Sequence, residues 1–152
     1  MKGVFLSSLL LLSFVSVSAQ GLKAVRWSTE LQQVSDTEFD LIITAELQHG
    51  WHIYAQELKE VIGPVATVIN IESQDGQTLI GKAEEHGTLI EGYDALMGTE
   101  VRKYKEEVQF IQRLECEADV TWIKGSVRYM ACDAQRCLPP KTTEFNLAVV
   151  RK

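Results

Sequence analysis

The sequence predicts an all-β fold, an immunoglobulin-like β-sandwich of about eight or nine strands. From Leu22 onward short segments alternate apolar and polar residues, and turn signals separate them at intervals of roughly ten residues. Helical periodicity is nearly absent, and the richness of the segments in Val, Ile, Thr and aromatic side chains favours a sandwich over a barrel.

Residues 1–19 read as a secretory signal, with Lys2 as the charged start, Val4 to Val17 as the apolar run and Val17-Ser18-Ala19 as a small-residue cleavage site. An uncleaved anchor is the alternative, but the run falls short of the ~20 residues a spanning helix needs. Residues 20–152 then suffice for one domain and are too few for two. The formal charge of −6, one unit more negative once Lys2 is removed, argues against nucleic acid or an anionic membrane as a partner. Export, to the periplasm or outside the cell, places the three cysteines where disulfides persist.

Phe39, Leu41, Ile43, Ala45 and Leu47 share one face of a strand and Asp40, Thr44 and Glu46 the other. His49-Gly50 ends it. Gly50 to Gln56 crowds Trp51, His52 and Tyr54 together and does not fit a plain strand. Val65, Thr67, Ile69 and Ile71 alternate after Gly63-Pro64, and Asp75-Gly76 reads as a hairpin turn into Thr78-Leu79-Ile80. Glu85 to Gly98 reads as a glycine-punctuated loop carrying Tyr93, Asp94, Leu96 and Met97, and loops on a rigid sandwich are where function tends to sit. Val108, Phe110, Gln112 and Leu114 belong to a long strand, followed by Val120–Ile123, then Val127 and Tyr129 beyond Lys124-Gly125, and finally Phe145, Leu147 and Val149. Trp27, Trp51 and Trp122 are expected in the core, with Trp51 the one that could serve a site.

The most informative stretch is Tyr129 to Pro140. On an extended strand Cys132 and Cys137 would stand about 16 Å apart, beyond the ~7 Å limit for a bridge, and on a helix they would face different ways. If their sulfurs meet, Asp133 to Arg136 must turn the chain back, and Pro139-Pro140 bars an immediate central strand. Such a bridge has two readings. As a staple it is weak, roughly 2 kcal/mol for so short a loop; as an exposed bridge in a short loop it suits exchange. Arg136 beside Cys137 favours that thiolate, whereas Asp133 beside Cys132 disfavours the other. Cys116, between Glu115 and Glu117, reads as an unpaired bystander with a raised pKa.

The run Tyr129-Met130-Ala131-Cys132 through Cys137-Leu138-Pro139-Pro140, with Gly50-Trp51-His52-Ile53-Tyr54 upstream, resembles the N-terminal periplasmic domain of the thiol:disulfide interchange protein DsbD. The resemblance implies an immunoglobulin-like sandwich that carries electrons through one cysteine pair, here Cys132 and Cys137. It implies electrons from a membrane-embedded donor, relayed by a thioredoxin-fold domain, and periplasmic disulfide proteins as acceptors. His52 and Tyr54 match positions lining the pair, Trp51 and Arg136 flank it, and Tyr93 to Gly98 fall where the family has a cap, with Leu96 and Met97 as its lid. The chain departs in closer cysteine spacing and in Ala95-Leu96-Met97, where better-known members carry aromatics and acids. Any donor is expected on another polypeptide, and the domain is expected to be a monomer.

No cofactor or small-molecule substrate is expected. A copper site on His49, His52, His86, Met97 and Met130 and a non-enzymatic interaction module with an inert bridge are the rival readings. No zinc-type spacing, Ser/His/Asp order, phosphate loop or carboxylate pair stands out.

Overall fold

The computed structural model describes residues 23–60 and 62–152, so the leader assigned to residues 1–19 lies outside the described residues. Those residues form nine strands and no helix: β1 (Val25–Gln33), β2 (Glu38–Leu47), β3 (His52–Tyr54), β4 (Val68–Ile71), β5 (Gln77–Asp94), β6 (Thr99–Cys116), β7 (Trp122–Tyr129), β8 (Ala131–Cys132) and β9 (Lys141–Ala148). One sheet runs β1-β2-β6-β3-β8 with β5 also on β6, the other β4-β7-β9. This is the expected all-β, immunoglobulin-like sandwich.

β6 is the spine of the larger sheet. Glu107–Glu115 pairs with β2, Lys103–Lys105 pairs with β3 along the same edge, and β5 occupies the opposite edge. Between the two partners lies Glu106, whose φ of 65° is in the left-handed region that non-glycine residues seldom enter. The strand breaks where it changes partner. The alternation assigned to β2 holds: Phe39, Leu41, Ile43 and Ala45 are buried beside Val108, Phe110 and Leu114 of the neighbouring β6, and this face of the sheet packs with Ile123 and Val127 of β7 in the main core. A second, smaller cluster of Tyr54, Val101, Met130 and Cys132 closes the end where β3 and β8 meet.

The structure corrects several sequence expectations. Gly50 to Gln56 does contain a plain strand, β3, which is buried throughout. Asp75-Gly76 does not join a hairpin, because β4 belongs to the smaller sheet and β5 to the larger; the chain crosses between sheets there. Val120 to Tyr129 holds one strand rather than two, and β4 begins only at Val68. Trp122 is exposed rather than core, since its side chain points away from the face that buries Ile123. Trp27 packs beside the core, 5.0 Å from the Tyr129 ring.

Glu85 to Gly98 is mostly strand, not loop. β5 has register irregularities between Ile80 and Glu84 and between Gly87 and Leu89; of the glycines that suggested a loop, Gly87 borders the second, Gly92 pairs in regular register with Val101 and Gly98 lies in the turn. Gly81, with φ 68°, supplies the left-handed step at the first. Gln112, almost fully buried in the facing β6, donates its amide to the carbonyls of Ile80 at 3.1 Å and Arg113 at 2.9 Å. A polar side chain thus occupies a core position because the irregularity leaves carbonyls that must be satisfied.

Gly125 in β7 is fixed by space. A Cβ there would lie 2.3 Å from the Asn70 carbonyl oxygen and 2.5 Å from Phe145 Cζ. Gly125→Ala is expected to cost about 1–3 kcal/mol through overpacking, read as a lower urea midpoint at unchanged slope; an unchanged midpoint would show that β4 and β9 can part to admit a methyl group.

Candidate functional site

Cys132 and Cys137 are bonded, with Cα atoms 4.0 Å apart. The two form an antiparallel bridge, and the turn between them is closed by the Asp133 amide on the Arg136 carbonyl at 2.9 Å and the Leu138 amide on the Ala131 carbonyl at 2.8 Å. Asp133 makes the reversal: its Oδ1 accepts the amides of Gln135 and Arg136, each at 2.8 Å. Those bonds hold its carboxyl below the usual carboxylate range. Arg136 returns to the same carboxylate at 3.7 Å and lies 6.0 Å from the Trp51 ring centre. Cys132 is fully buried and Cys137 only half-buried. Cys116 is free and fully buried at the end of β6, and burial, rather than its glutamate neighbours, raises its thiol.

β3 is inserted between β6 and β8, with His52 opposite both Lys105 and Cys132, and Tyr54 opposite Lys103. His52, Tyr54, Lys103, Lys105 and Cys132 therefore share one face. Tyr54 donates its hydroxyl to Cys132 Sγ at 3.4 Å, and His52 Nε2 stands 3.2 Å from the same hydroxyl oxygen. Since that hydroxyl donates to sulfur, the tautomer that fits carries its proton on Nε2 and donates to Tyr54 Oη. Burial, reinforced by Lys103, lowers His52 to a pKa of about 4. Its 3.9 Å approach to Asp94 is thus a contact of a neutral ring at neutral pH, not an ion pair. Burial, then Asp94, pushes Tyr54 far above the ordinary phenol value, so it remains a donor throughout the physiological range.

The β5–β6 connection, Ala95 to Gly98, lies beside this face. Met97 packs against the cluster of Tyr54, Cys132 and Cys137, whereas Leu96 is 43% exposed. Only these few residues of the stretch read as a loop are loop. Tyr93 is 68% exposed and, with Leu96, Lys105 and Ala134, rims a shallow hollow beside the disulfide turn. Trp51 belongs to the main core, placed by a turn in which its amide meets the Gln48 carbonyl at 3.0 Å. The structure thus gathers His52, Tyr54, Asp94, Met97, Cys132 and Cys137 into one cluster, sets Trp51 and Arg136 on its flank and leaves Tyr93 at the rim. Lys103, which reaches Asp94 at 2.6 Å, was missed by sequence reasoning. Its alternation with Tyr104 marks only a face, and the β3 partner is remote in sequence. Of the residues weighed for copper, His52, Met97 and Met130 lie in or against this cluster and His49 and His86 do not; among the described residues no group of three or more His, Cys, Asp or Glu side chains is arranged to hold a metal.

His52 sets a pH signature. Its folded pKa lies below its unfolded value, so it favours the folded state when neutral, and that contribution declines as pH falls from about 6.5 through about 4. His52→Gln is expected to flatten the stability profile of the oxidised protein in that window; an unaltered profile would mean that the ring protonates without cost.

The sequence profile described as "Thiol:disulfide interchange protein DsbD, N-terminal" matches residues 23–149. Among solved structures, the reduced DsbD N-terminal domain of Neisseria meningitidis is similar at 21% identity and TM-score 0.55, over 84% of this chain and 86% of that one. The N-terminal periplasmic domain of ScsB from Proteus mirabilis is similar at 19% identity and TM-score 0.63, over 86% of this chain and 49% of that one. A complex between the DsbD and PilB N-terminal domains of Neisseria meningitidis matches at 20% identity and TM-score 0.50, over 83% of this chain and 88% of that one. At these identities the structures speak for the fold, and no curated protein sequence matches the chain. The profile match takes in all nine strands and both bonded cysteines, and by it the chain belongs to the family of DsbD N-terminal domains.

Proposed function

We propose that the chain is an exported, periplasmic thiol-disulfide carrier that takes electrons from a thioredoxin-fold donor, itself supplied by a membrane-embedded protein, and passes them to disulfide-containing proteins. The observation that carries this reading is the asymmetry of the bonded pair: Cys137 is half-buried, while Cys132 is fully buried and accepts a hydrogen bond from Tyr54. The Neisseria complex is a precedent for a DsbD N-terminal domain meeting another protein domain.

A donor thiolate attacks Cys137 Sγ, the Cys132–Cys137 bond breaks, and Cys132 leaves as a thiolate. The Tyr54 hydroxyl stabilises that leaving sulfur, and a lower effective pKa makes it leave faster. The donor's second thiolate then attacks the mixed disulfide and frees Cys137, so the donor is oxidised by two electrons and this domain is reduced. In the second half, Cys137 thiolate attacks an acceptor disulfide, releasing one acceptor thiolate, and Cys132 attacks Cys137 Sγ, releasing the other. Two electrons and two protons have then passed from donor to acceptor. His52 orients the tyrosine hydroxyl without exchanging a proton at neutral pH, Arg136 and Trp51 shape the flank, and Met97 and Leu96 shield the pair from adventitious oxidants, with Tyr93 at the rim of the docking face.

Cys137→Ala is expected to abolish reduction of an acceptor and Cys132→Ala to trap a mixed disulfide, seen as a reductant-sensitive adduct on a gel. Trapping by the variant that retains only Cys132 would reverse the roles. A reduction potential above about −300 mV is required of an exchange-active bridge, and a value well below it would favour the inert interaction module. Replacing Leu96 and Met97 together by glycine is expected to speed alkylation of reduced Cys137; an unchanged rate would remove the cap from the mechanism.

A further inference from the structure

Asp94 is the last residue of β5 and the hinge of the cap. Its Oδ1 accepts the amides of Leu96 at 3.0 Å and Met97 at 3.3 Å, and its backbone carbonyl accepts the Gly98 amide at 2.7 Å. The other carboxylate oxygen takes Lys103 Nζ at 2.6 Å, with the Lys103 side chain 17% and that of Asp94 9% exposed. One carboxylate therefore ties Leu96, at the rim of the hollow, and Met97, against the cysteine cluster, to the β6 strand.

We propose that Lys103 is a positioning residue that latches the cap over the cysteine pair by holding the Asp94 carboxylate in place. The inference rests on the reading of Cys132 and Cys137 as an exchange-active pair shielded by that cap. A buried carboxylate without a cation would take up a proton or turn toward water. Protonation weakens, and turning away removes, the acceptor that holds the Leu96 and Met97 amides, which have no other hydrogen-bond partner among the described residues. Lys103 suits the task because β6 is pinned on both edges there, to Tyr54 on one side and Ile90 on the other, so its ammonium is carried by rigid framework rather than by the loop it restrains. The charged or titratable groups facing Asp94 are Lys103 and Lys105 of β6, His52 and Tyr54 of β3, and Asp133 of the disulfide turn. Among them Lys103 alone makes an ion pair with it.

Burial by itself would raise the Asp94 carboxyl, but Lys103 and the two amides hold it below the usual carboxylate range. The latch is therefore set above that lowered pKa and released as pH falls through it. Without Lys103 burial is less opposed, and release moves to higher pH.

The test uses the reduced protein and a small alkylating reagent, with rates expressed per Cys137 thiolate after each variant's thiol has been titrated. Lys103→Met is expected to react roughly tenfold faster than wild type, the scale of one hydrogen bond to a charged group, while Lys103→Arg stays near the wild-type rate. Amide resonances of Leu96 and Met97, followed against pH, should titrate at a higher midpoint in Lys103→Met than in wild type. The Leu96/Met97 double glycine variant marks the uncapped rate. If it is fast while Lys103→Met matches wild type in rate and midpoint, the latch is overturned and the cap stands; if it too is unaccelerated, the cap reading itself has failed. Should Lys103→Met not fold, Asp94→Asn makes the same test from the other partner: faster alkylation supports the latch, and a wild-type rate overturns it.

Discussion

The break in β6 at Glu106 is the constraint on which the site depends. A straight strand would pair with one neighbour along its whole edge, and β2 would then occupy the edge that β3 holds. Because the left-handed step at Glu106 ends the β2 ladder, a short, wholly buried strand can enter beside Lys103–Lys105 and bring His52 and Tyr54 against β8. The cysteine turn, the polar chain leading away from it and the cap all hang on that insertion. A residue in a sparsely populated backbone region is tolerated only where its surroundings over-determine it, and here three strands meet at the break.

Around the disulfide, burial and charge act on different groups in opposite senses. Desolvation keeps His52 neutral and Tyr54 protonated, so neither exchanges a proton near neutral pH, while Asp94 stays ionised because a lysine and two amides outweigh the same desolvation. The result is a line of fixed dipoles ending on sulfur. Fixed donors aimed at a site of developing negative charge need no rearrangement when the charge appears. In the proposed exchange, a thiolate leaving from Cys132 would meet such a donor already in position.

Much of this was legible in the sequence because it is local. Period-two alternation set β2, β6 and β9, and the short spacing of Cys132 and Cys137 with Asp133 between them required a turn if the sulfurs met. What escaped is non-local or ambiguous in its chemistry. Gly87 and Gly92 carry the same letter whether they loosen a loop, border an irregularity or sit in a regular ladder, and only the pairing with β6 distinguishes these. Trp122 looks like core by composition, yet its place in the alternation turns it outward. Lys103 and Asp94 are partners because a hairpin folds between them, and Gln112 is buried because β5 bends opposite it; neither fact is written near the residue concerned.

The irregular β5 also matters for how the molecule behaves in company. A regular eighteen-residue edge strand would present an unbroken row of unpaired amides and carbonyls, a ready template for another chain. Two register shifts cut that row into pieces, and Lys82, Glu84, Glu85 and Glu91 place charge along them. The edge is thereby made a poor surface for copies of the domain to zip together. Encounters of the proposed kind are left to the end of the sheet where the cysteine turn lies, and they can be brief: a carrier that meets one partner, lets go and meets the next would gain from a flank that nothing holds for long.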